Sequence, residues 1–211
     1  MLIFVSVHKI AFKACEFYAL LSRMRYITRW GLMRNTYNEN IQEHSHQVAV
    51  LAHALALIRR EILHLPGPDP DKCAAAALYH DCSEILTGDL PTPIKYDNPA
   101  LQGAYKQMEH LAGERLLDML PKELRSCYAP LILEDDPEVT PIVKAADKLS
   151  AYLKCLEEQK SGNRDFDSAA SQTMKALTIM ATPELTWFIR ECLPAFGLTL
   201  DELNCMEKFT H

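Results

Sequence analysis

Two histidines and two aspartates, His44, His80, Asp81 and Asp147, are the side chains of this sequence whose types could together hold a metal ion. Neutral imidazoles mixed with hard carboxylates suit Zn, Mn, Co, Fe or Ni, and they differ from the cysteine-rich set of a structural zinc site. Such a set leaves open coordination positions on the ion, as a catalytic metal requires. We therefore predict that these residues bind a catalytic divalent cation.

The adjacent pair His80-Asp81 is predicted to lie in the middle of a helix that runs from Pro70 to about Leu86. Neighbouring helical residues are about 100° apart, so both side chains can face one point between them. A carboxylate on a helix made of Ala and Leu is costly unless it is paired or ligated. Glu84 lies one turn later on the same face. A solvent-exposed His-Asp pair is the alternative, because a dipeptide alone is a weak signal.

His44 heads the apolar stripe of a helix predicted over residues 41–63, which points its imidazole inward. The other members of the stripe recur at steps of four and three residues: Val48, Leu51, Leu55, Ile58 and Ile62. His46 lies about 200° round the helix from His44, and His53 shares the side of His46. We therefore choose His44 as the ligand, against the alternative of a hydrogen-bonded core histidine.

Asp147 lies at the edge of the core stripe of a long helix predicted from Thr140-Pro141 to about Lys160. An aspartate at such an edge needs a partner, or else it is solvated at the helix surface. Further helices are predicted over residues 14–29, 99–119 and 166–192, the last with a break at Pro183. A shorter helix is predicted to start at Pro121. Residues 89–93 are predicted to be non-helical, because two prolines restrict them.

These elements predict an all-α, single-domain helical bundle with a buried metal site. The chain has 211 residues with 48% hydrophobic and 24% charged residues, and its net charge of −6 argues against a nucleic acid polymer as a partner. Seven cysteines without a CxxC pair indicate reduced thiols in a cytoplasmic protein. No signal peptide and no transmembrane segment are expected, so no membrane is a partner.

The order His44, His80-Asp81, Asp147 resembles the HD-domain phosphohydrolase superfamily, and within it the bacterial 5′-deoxynucleotidases. The closer resemblance depends on Arg29-Trp30 and on Gly-Asp-Leu-Pro-Thr-Pro at residues 88–93. The similar segments are residues 27–30, 32–35, 43–45, 79–81, 83–84, 86–96, 144–147 and 151–158. Residues 1–13 look like an N-terminal extension of unknown role, which leaves residues 14–211 as the HD phosphohydrolase domain.

The resemblance implies hydrolysis of 2′-deoxyribonucleoside 5′-monophosphates to deoxynucleoside and phosphate, with a divalent cation such as Co, Mn or Zn. It implies catalytic roles for Glu84 and Asp89, and it suggests a homodimer. The substrate contacts that it implies are Arg29, Trp30, His44, Asp89, Thr92, Pro93, Ile94, Lys95 and Asp147. Arg29 and Lys95 would give an acidic protein its local anion site, and Trp30 would crowd the sugar and exclude a 2′-hydroxyl.

Each implied role has an ordinary alternative. Arg29 and Trp30 could be a surface cation and a hydrophobic residue at a helix end, and Asp89 could cap the turn at Gly88. Three other functions also stay open at this point. They are an HD phosphohydrolase of another nucleotide (a triphosphate, a cyclic nucleotide or an alarmone), a metal-bound nucleotide sensor without turnover, and a structural dimerisation module.

Overall fold

The computed structural model describes residues 16–95 and 98–203, without the side chains of Thr92 and Pro93. In these ranges the chain forms helices and turns, with one isolated antiparallel bridge between Thr28 and Asn40 and no strand. The prediction of an all-α fold is therefore confirmed. The helices are residues 16–21 (α1), Ile41–Leu57 (α2), Pro70–Tyr79 (α3), Glu84–Thr87 (α4), Thr92–Lys95 (α5), Pro99–Asp118 (α6), Lys122–Ile132 (α7), Val139–Lys160 (α8), Asp167–Met180 (α9) and Pro183–Glu191 (α10).

The main core lies between α2, α3 and α8, the three helices that carry or lead into the predicted metal ligands. Leu51 and Leu55 of α2 pack in it with Ala77 of α3 and with Leu149 and Leu153 of α8, all buried. Burying such side chains is worth about 2 kcal/mol each, so these helices form the most rigid part of the fold. A site at their ends is held on rigid supports.

The predicted phasing of α2 is confirmed. Asn40 caps the helix in a capping box with Glu43, since its side chain accepts from Glu43 N at 3.0 Å and Glu43 Oε2 accepts from Asn40 N at 3.3 Å. His44 follows in the first turn and is fully buried, whereas His46 is exposed. The helix continues as a π-helical turn over Ile58–Ile62.

The prediction that His80 and Asp81 lie in mid-helix is wrong, because α3 ends at Tyr79 and the pair lies in a tight turn before α4. In a continuing helix the Ala77 carbonyl would accept from the Asp81 N–H. It lies instead 2.7 Å from His80 Nδ1, which donates to it. The chain turns with Cys82 N bonded to Tyr79 O at 3.0 Å, a separation of three residues.

The first predicted helix, over residues 14–29, is too long. Helical residues 16–21 pass into a 3₁₀ turn over Ser22–Tyr26, and Ile27 is extended. The backbone then pairs with the segment before α2, since Arg29 N donates to Glu39 O at 2.9 Å. Arg29 therefore lies in an extended segment rather than on a helix.

Two other boundaries differ from the prediction. Residues 92–95 form one helical turn, with Ile94 N bonded to Pro91 O at 2.8 Å; a proline in a first turn loses no helical hydrogen bond. The helix α8 begins at Val139 rather than at a Thr140 cap, because Asp136 Oδ1 accepts from Val139 N at 3.1 Å. The predicted helix over residues 99–119, the start of α7 at Pro121 and the break before Pro183 agree with the structure.

The thiols of Cys73, Cys82, Cys127, Cys155 and Cys192 are all free, while Cys15 and Cys205 lie outside the described residues. Over the described ranges, none of the helices is both long and apolar enough to cross a membrane. The first 15 residues, which include the predicted extension, also lie outside the described part.

A buried ion pair on α8 anchors the loop that precedes α2. Lys154 and Glu158 are 4% and 1% exposed, and their charged atoms are 2.5 Å apart. Glu158 Oε2 also accepts from Thr36 Oγ1 at 2.7 Å, and Lys154 donates to the carbonyl of Tyr37. The pair therefore fixes the loop on α8.

We expect Lys154→Met to lower the free energy of unfolding by about 3 kcal/mol, because it leaves the Glu158 carboxylate buried without its cation. Urea unfolding followed by circular dichroism measures this change. Lys175→Met, at an exposed lysine of α9, is the matched control and should change stability by less than about 0.5 kcal/mol. Equal effects of the two substitutions would contradict the anchoring role.

Candidate metal and phosphate site

The four predicted metal ligands lie together where α2, α8 and the turn after α3 meet. His44, His80 and Asp147 offer ligand atoms that are all within 4.8 Å of one another. Asp81 Oδ2 lies 3.2 Å from His80 Nε2 and 3.5 Å from His44 Nε2. The structure thus brings both histidines and Asp147 into one possible metal site, and it places Asp81 beside the two imidazoles.

The hydrogen bonds of His44 fix its ring so that Nε2 faces Asp147. Ser150 gives its hydroxyl proton to Gln47 Oε1 at 2.6 Å, so its oxygen can accept from His44 Nδ1 at 3.2 Å. Burial, and next Arg29, lower the pKa of His44, which favours the neutral ring with one proton. His44 Nε2 lies 3.1 Å from Asp147 Oδ1, a distance that a shared proton or a bound cation would bridge.

The same reasoning applies to His80. A backbone carbonyl only accepts, so His80 Nδ1 donates to Ala77 O. His80 Nε2 is buried and makes no hydrogen bond among the described residues. Burial opposes protonation, but the Asp81 carboxylate outweighs it and raises the pKa of His80 to about 9. The protonated ring carries a proton on Nε2, and a metal ion bound there would replace that proton.

Both aspartates are held in the ionised form that a metal ligand needs. Burial alone would raise their pKa values, but the contacts with the imidazoles outweigh it. His80 and then His44 keep the pKa of Asp81 below its ordinary value, and the hydrogen bond with His44 does the same for Asp147. Two ring nitrogens and the Asp147 carboxylate, with Asp81 beside them, therefore fit a divalent cation of the Zn, Mn or Co type.

Arg29 and Trp30 lie beside this cluster and are joined by a carboxylate that the sequence analysis missed. Arg29 Nη1 donates to Asp81 Oδ2 and Arg29 Nε to Glu39 Oε2, each at 3.1 Å. Trp30 Nε1 donates to the same Glu39 oxygen at 3.1 Å, and the indole packs on Phe166. Arg29 is thus a bound, oriented cation at the edge of the metal cluster rather than a free surface charge.

Two further acids, Glu84 and Asp89, lie beside the cluster. Glu84 is 5% exposed, and its Oε2 is buried without a hydrogen bond in the described ranges. Burial, together with Asp81 and Asp89, raises its pKa to about 9. Burial also raises the pKa of Asp89, which is half-buried just after Gly88. Gly88 has a φ of 75°, a backbone conformation that favours glycine and sends the chain back towards the site.

Lys95 is held away from free solution by α6. Its Nζ donates to Glu109 Oε1 at 2.7 Å and lies 4.5 Å from the centre of the Tyr105 ring. Tyr105 also donates its hydroxyl to Gly88 O at 3.2 Å. Ile94 is 43% exposed, and the side chains of Thr92 and Pro93 are outside the described part. The α6 helix therefore fixes both ends of residues 88–95.

Removing the Tyr105 hydroxyl tests this support. We expect Tyr105→Phe to lower kcat/KM about fivefold for the deoxynucleotide hydrolysis that the resemblance implies. One hydrogen bond that holds Gly88 beside Asp89 is lost, while the aromatic ring beside Lys95 stays. Tyr26→Phe, at a tyrosine that is 72% exposed, is the control and should leave kcat/KM unchanged. Wild-type kinetics in both variants would show that the segment needs no support from α6.

Several residues around the site were not found from the sequence. Glu39, Gln47 and Ser150 act through contacts between α8 and the region around the start of α2, which no local pattern reveals. Glu134 precedes α8 with a φ of 51°. Burial raises the pKa of its half-buried carboxyl group and the charge of His80 opposes that rise, an arrangement that is visible only in the structure.

The comparisons with known proteins agree with this geometry. The family described as "5′-deoxynucleotidase YfbR-like" matches residues 16–196. A protein of Erwinia tasmaniensis named 5′-deoxynucleotidase is 49% identical over 90% of this chain and 96% of its own. One of the same name from Vibrio cholerae is 48% identical over 90% of this chain and 98% of its own.

Solved structures agree in fold. An HD-domain phosphohydrolase from Listeria innocua matches with a TM-score of 0.75 at 21% identity, over 86% of this chain and 88% of that one. A cyanophage S-2L HD phosphohydrolase, solved with dA and one catalytic Zn²⁺ ion, matches with a TM-score of 0.57 at 22% identity, over 83% of this chain and 95% of that one. These two matches confirm the predicted HD-domain fold.

Proposed function

This chain belongs to the YfbR-like family of 5′-deoxynucleotidases, and from that premise we propose that it hydrolyses 2′-deoxyribonucleoside 5′-monophosphates to deoxynucleoside and phosphate. The observation that carries the proposal is the pair of buried histidine Nε2 atoms that face two carboxylates. This arrangement suits a divalent cation, and it lies beside an oriented arginine and two acids.

We propose His44, His80, Asp81 and Asp147 as the metal ligands. A divalent ion bound there lowers the pKa of water and neutralises charge on the phosphoryl oxygens. Ser150 and Ala77 O orient the two imidazoles through their Nδ1 atoms, which keeps each Nε2 available. His44 and Asp147 also line the space that the phosphate enters.

Arg29 is proposed to bind the phosphate. Its Nε and Nη1 are used by Glu39 and Asp81, which leaves Nη2 without a protein partner in the part of the chain that the structure describes. A planar guanidinium held in this way presents a defined donor to a phosphoryl oxygen. Lys95, which donates a hydrogen bond to Glu109, adds a second positive charge to the site.

Glu84 is proposed to transfer a proton to the leaving group, and Asp89 is proposed to bind the sugar. Glu84 is protonated at neutral pH, since its pKa is raised to about 9, and it can therefore donate a proton to the leaving 5′ oxygen. Asp89 can accept a hydrogen bond from the 3′-hydroxyl of the sugar. Trp30 and residues 92–95 close the sugar pocket, and crowding by the indole disfavours a 2′-hydroxyl.

Phosphate release from a panel of esters tests this function. Metal-loaded protein should hydrolyse dAMP at least ten times faster than AMP and leave deoxyadenosine 3′-monophosphate intact. Faster turnover of a deoxynucleoside triphosphate, a cyclic nucleotide or an alarmone would assign the site to another phosphohydrolase. Tight binding of dAMP without turnover under any divalent ion would make the protein a nucleotide sensor.

We also propose that the protein is a cytoplasmic homodimer. Free thiols and the absence of a membrane-spanning helix from the described residues support the first point. An exposed apolar stripe on α6, formed by Leu101, Met108 and Leu111, supports the second. Light scattering after size exclusion should give twice the mass of the chain, 23.9 kDa, and Met108→Glu should halve the observed mass.

A further inference from the structure

Glu39 is a buried carboxylate to which the proposed chemistry gives no part. Its side chain is 9% exposed, and it lies just before α2. Its Oε2 accepts from both Arg29 Nε and Trp30 Nε1, each at 3.1 Å, and its Oε1 lies 3.9 Å from His44 Nδ1. One buried oxygen therefore joins the two side chains that are proposed to meet the phosphate and the sugar.

The backbone places this carboxylate with little freedom. Arg29 N donates to Glu39 O at 2.9 Å, and Ile41 N donates to Ile27 O at 3.0 Å. The two bonds flank the isolated bridge between Thr28 and Asn40. The segment that carries Arg29 and the segment that carries Glu39 are thus paired along the main chain, and the side-chain contacts extend that pairing into the site.

Trp30 needs such support because its backbone is strained. Its φ of 58° is left-handed, which for a bulky residue costs about 1–3 kcal/mol. The indole is held at one end by Glu39 and at its face by Phe166, whose ring centre is 5.3 Å away. Trp30 O also accepts from Met33 N at 2.9 Å. Without Glu39 the indole N–H loses the one hydrogen-bond partner that it has among the described residues.

Arg29 depends on the same carboxylate for its direction. Asp81 takes Nη1 and Glu39 takes Nε, so the guanidinium plane is fixed by two acceptors and its Nη2 edge points to a defined place. A long side chain held by Asp81 alone could rotate about that single contact. A misplacement of about 1 Å at a phosphate donor can cost on the order of 100-fold in rate.

We propose that Glu39 is a positioning residue, whose single oxygen fixes Arg29 and Trp30 together so that the free edge of the guanidinium meets the phosphate. This inference rests on the proposed function of Arg29. Glu39 touches no reacting atom and acts through Arg29 and Trp30. Most of its effect should therefore be lost when Arg29 is absent, and only the part that acts through Trp30 should remain.

The first test compares two substitutions. Glu39→Ala should lower kcat/KM for dAMP about 30-fold, mainly through KM, while the content of bound metal stays at the wild-type level. Glu39→Gln should stay within about threefold of the wild type, because both donors converge on one oxygen and an amide oxygen can replace it. Glu114→Ala and Glu114→Gln, at an exposed glutamate on α6, are matched controls and should leave kcat/KM unchanged.

A double-mutant cycle separates positioning from a merely structural role. In an Arg29→Ala background, adding Glu39→Ala should lower kcat/KM less than threefold further. Multiplicative losses would overturn the proposal, because Glu39 would then act independently of Arg29. If Glu39→Ala fails to fold, Glu39→Asp, which withdraws the carboxylate by one methylene, takes its place in the cycle.

Trp30 gives a readout that does not need activity. In a Trp187→Phe background the emission of the protein comes from Trp30 alone, since the chain has 2 Trp residues. Glu39→Ala should shift this emission to the red and Glu39→Gln should not. If the wild type releases no phosphate, the proposed function fails on its own. Unchanged emission in Glu39→Ala would overturn the positioning role whatever the activity.

Discussion

We expect His80→Ala to lower kcat for dAMP by about 10³-fold or more and to lose the bound metal ion, because the buried Nε2 of His80 makes no hydrogen bond among the described residues and is available to ligate the ion. The metal-free variant should unfold at nearly the same temperature as the metal-free wild type. Removal of the buried ring relieves its desolvation and offsets both the lost packing and the lost contact with Asp81. Phosphate release, elemental analysis and thermal unfolding with and without metal measure the three quantities.

His53→Ala is the control for this prediction. His53 lies on the other side of α2, its side chain is 40% exposed, and its Nε2 lies 3.3 Å from Asp71 Oδ1. The variant should keep the activity, the metal content and the rise in unfolding temperature that metal binding gives the wild type. Full activity and full metal content in His80→Ala would contradict the assignment of the site.

Glu84→Gln should have the second large effect, a fall in kcat of about 10²–10⁴-fold at pH 7 with metal binding intact. The amide matches the shape and neutrality of the protonated acid but has no proton to give to the leaving oxygen. Single-turnover phosphate release from metal-loaded protein measures the effect. Glu114→Gln, at an exposed glutamate on α6, should match the wild type. A fall in metal content equal to the fall in kcat would instead make Glu84 a ligand.

The raised pKa of Glu84 also predicts a pH dependence of stability. The folded pKa, about 9, is above the ordinary value of 4.5. The folded state therefore binds the proton more tightly, and the stability that this gives is present below about pH 4.5 and is lost as the pH rises towards 9. In metal-free protein, Glu84→Gln should remove this loss and be more stable than the wild type by about 2 kcal/mol at pH 9. Equal pH profiles in urea unfolding would contradict it.

The features that could be predicted from the sequence are those fixed by one helix at a time. The inward orientation of His44, and the outward orientation of His46, follow from the period of α2, and the burial of the two side chains confirms both. The short helix at Thr92–Lys95 and the turn at His80 were not predicted. Each depends on which donor binds a single backbone carbonyl group, that of Pro91 in the helix and that of Ala77 in the turn. In that turn the His80 side chain takes the acceptor that would have continued the helix.

Contacts between segments that are distant in the sequence could not be predicted from the periodicity of apolar residues. Arg29 was expected on a helix, but it lies in an extended segment because its main chain pairs with Glu39. Glu39 itself carries no local pattern that distinguishes it from an exposed acid. Ser150 and Gln47 likewise matter only because α8 packs on α2 and sets the tautomer of His44. Such residues act through partners that folding alone brings near.

Reconstitution of metal-stripped protein tests the central claim most directly. Wild-type protein is stripped with a chelator, and phosphate release from dAMP is measured before and after addition of Co, Mn, Zn or Mg. The account predicts no release from stripped protein, recovery with at least one of Co, Mn and Zn at one ion per chain, and no recovery in His80→Ala. Undiminished hydrolysis by the stripped protein, or none with any of these ions, would contradict it.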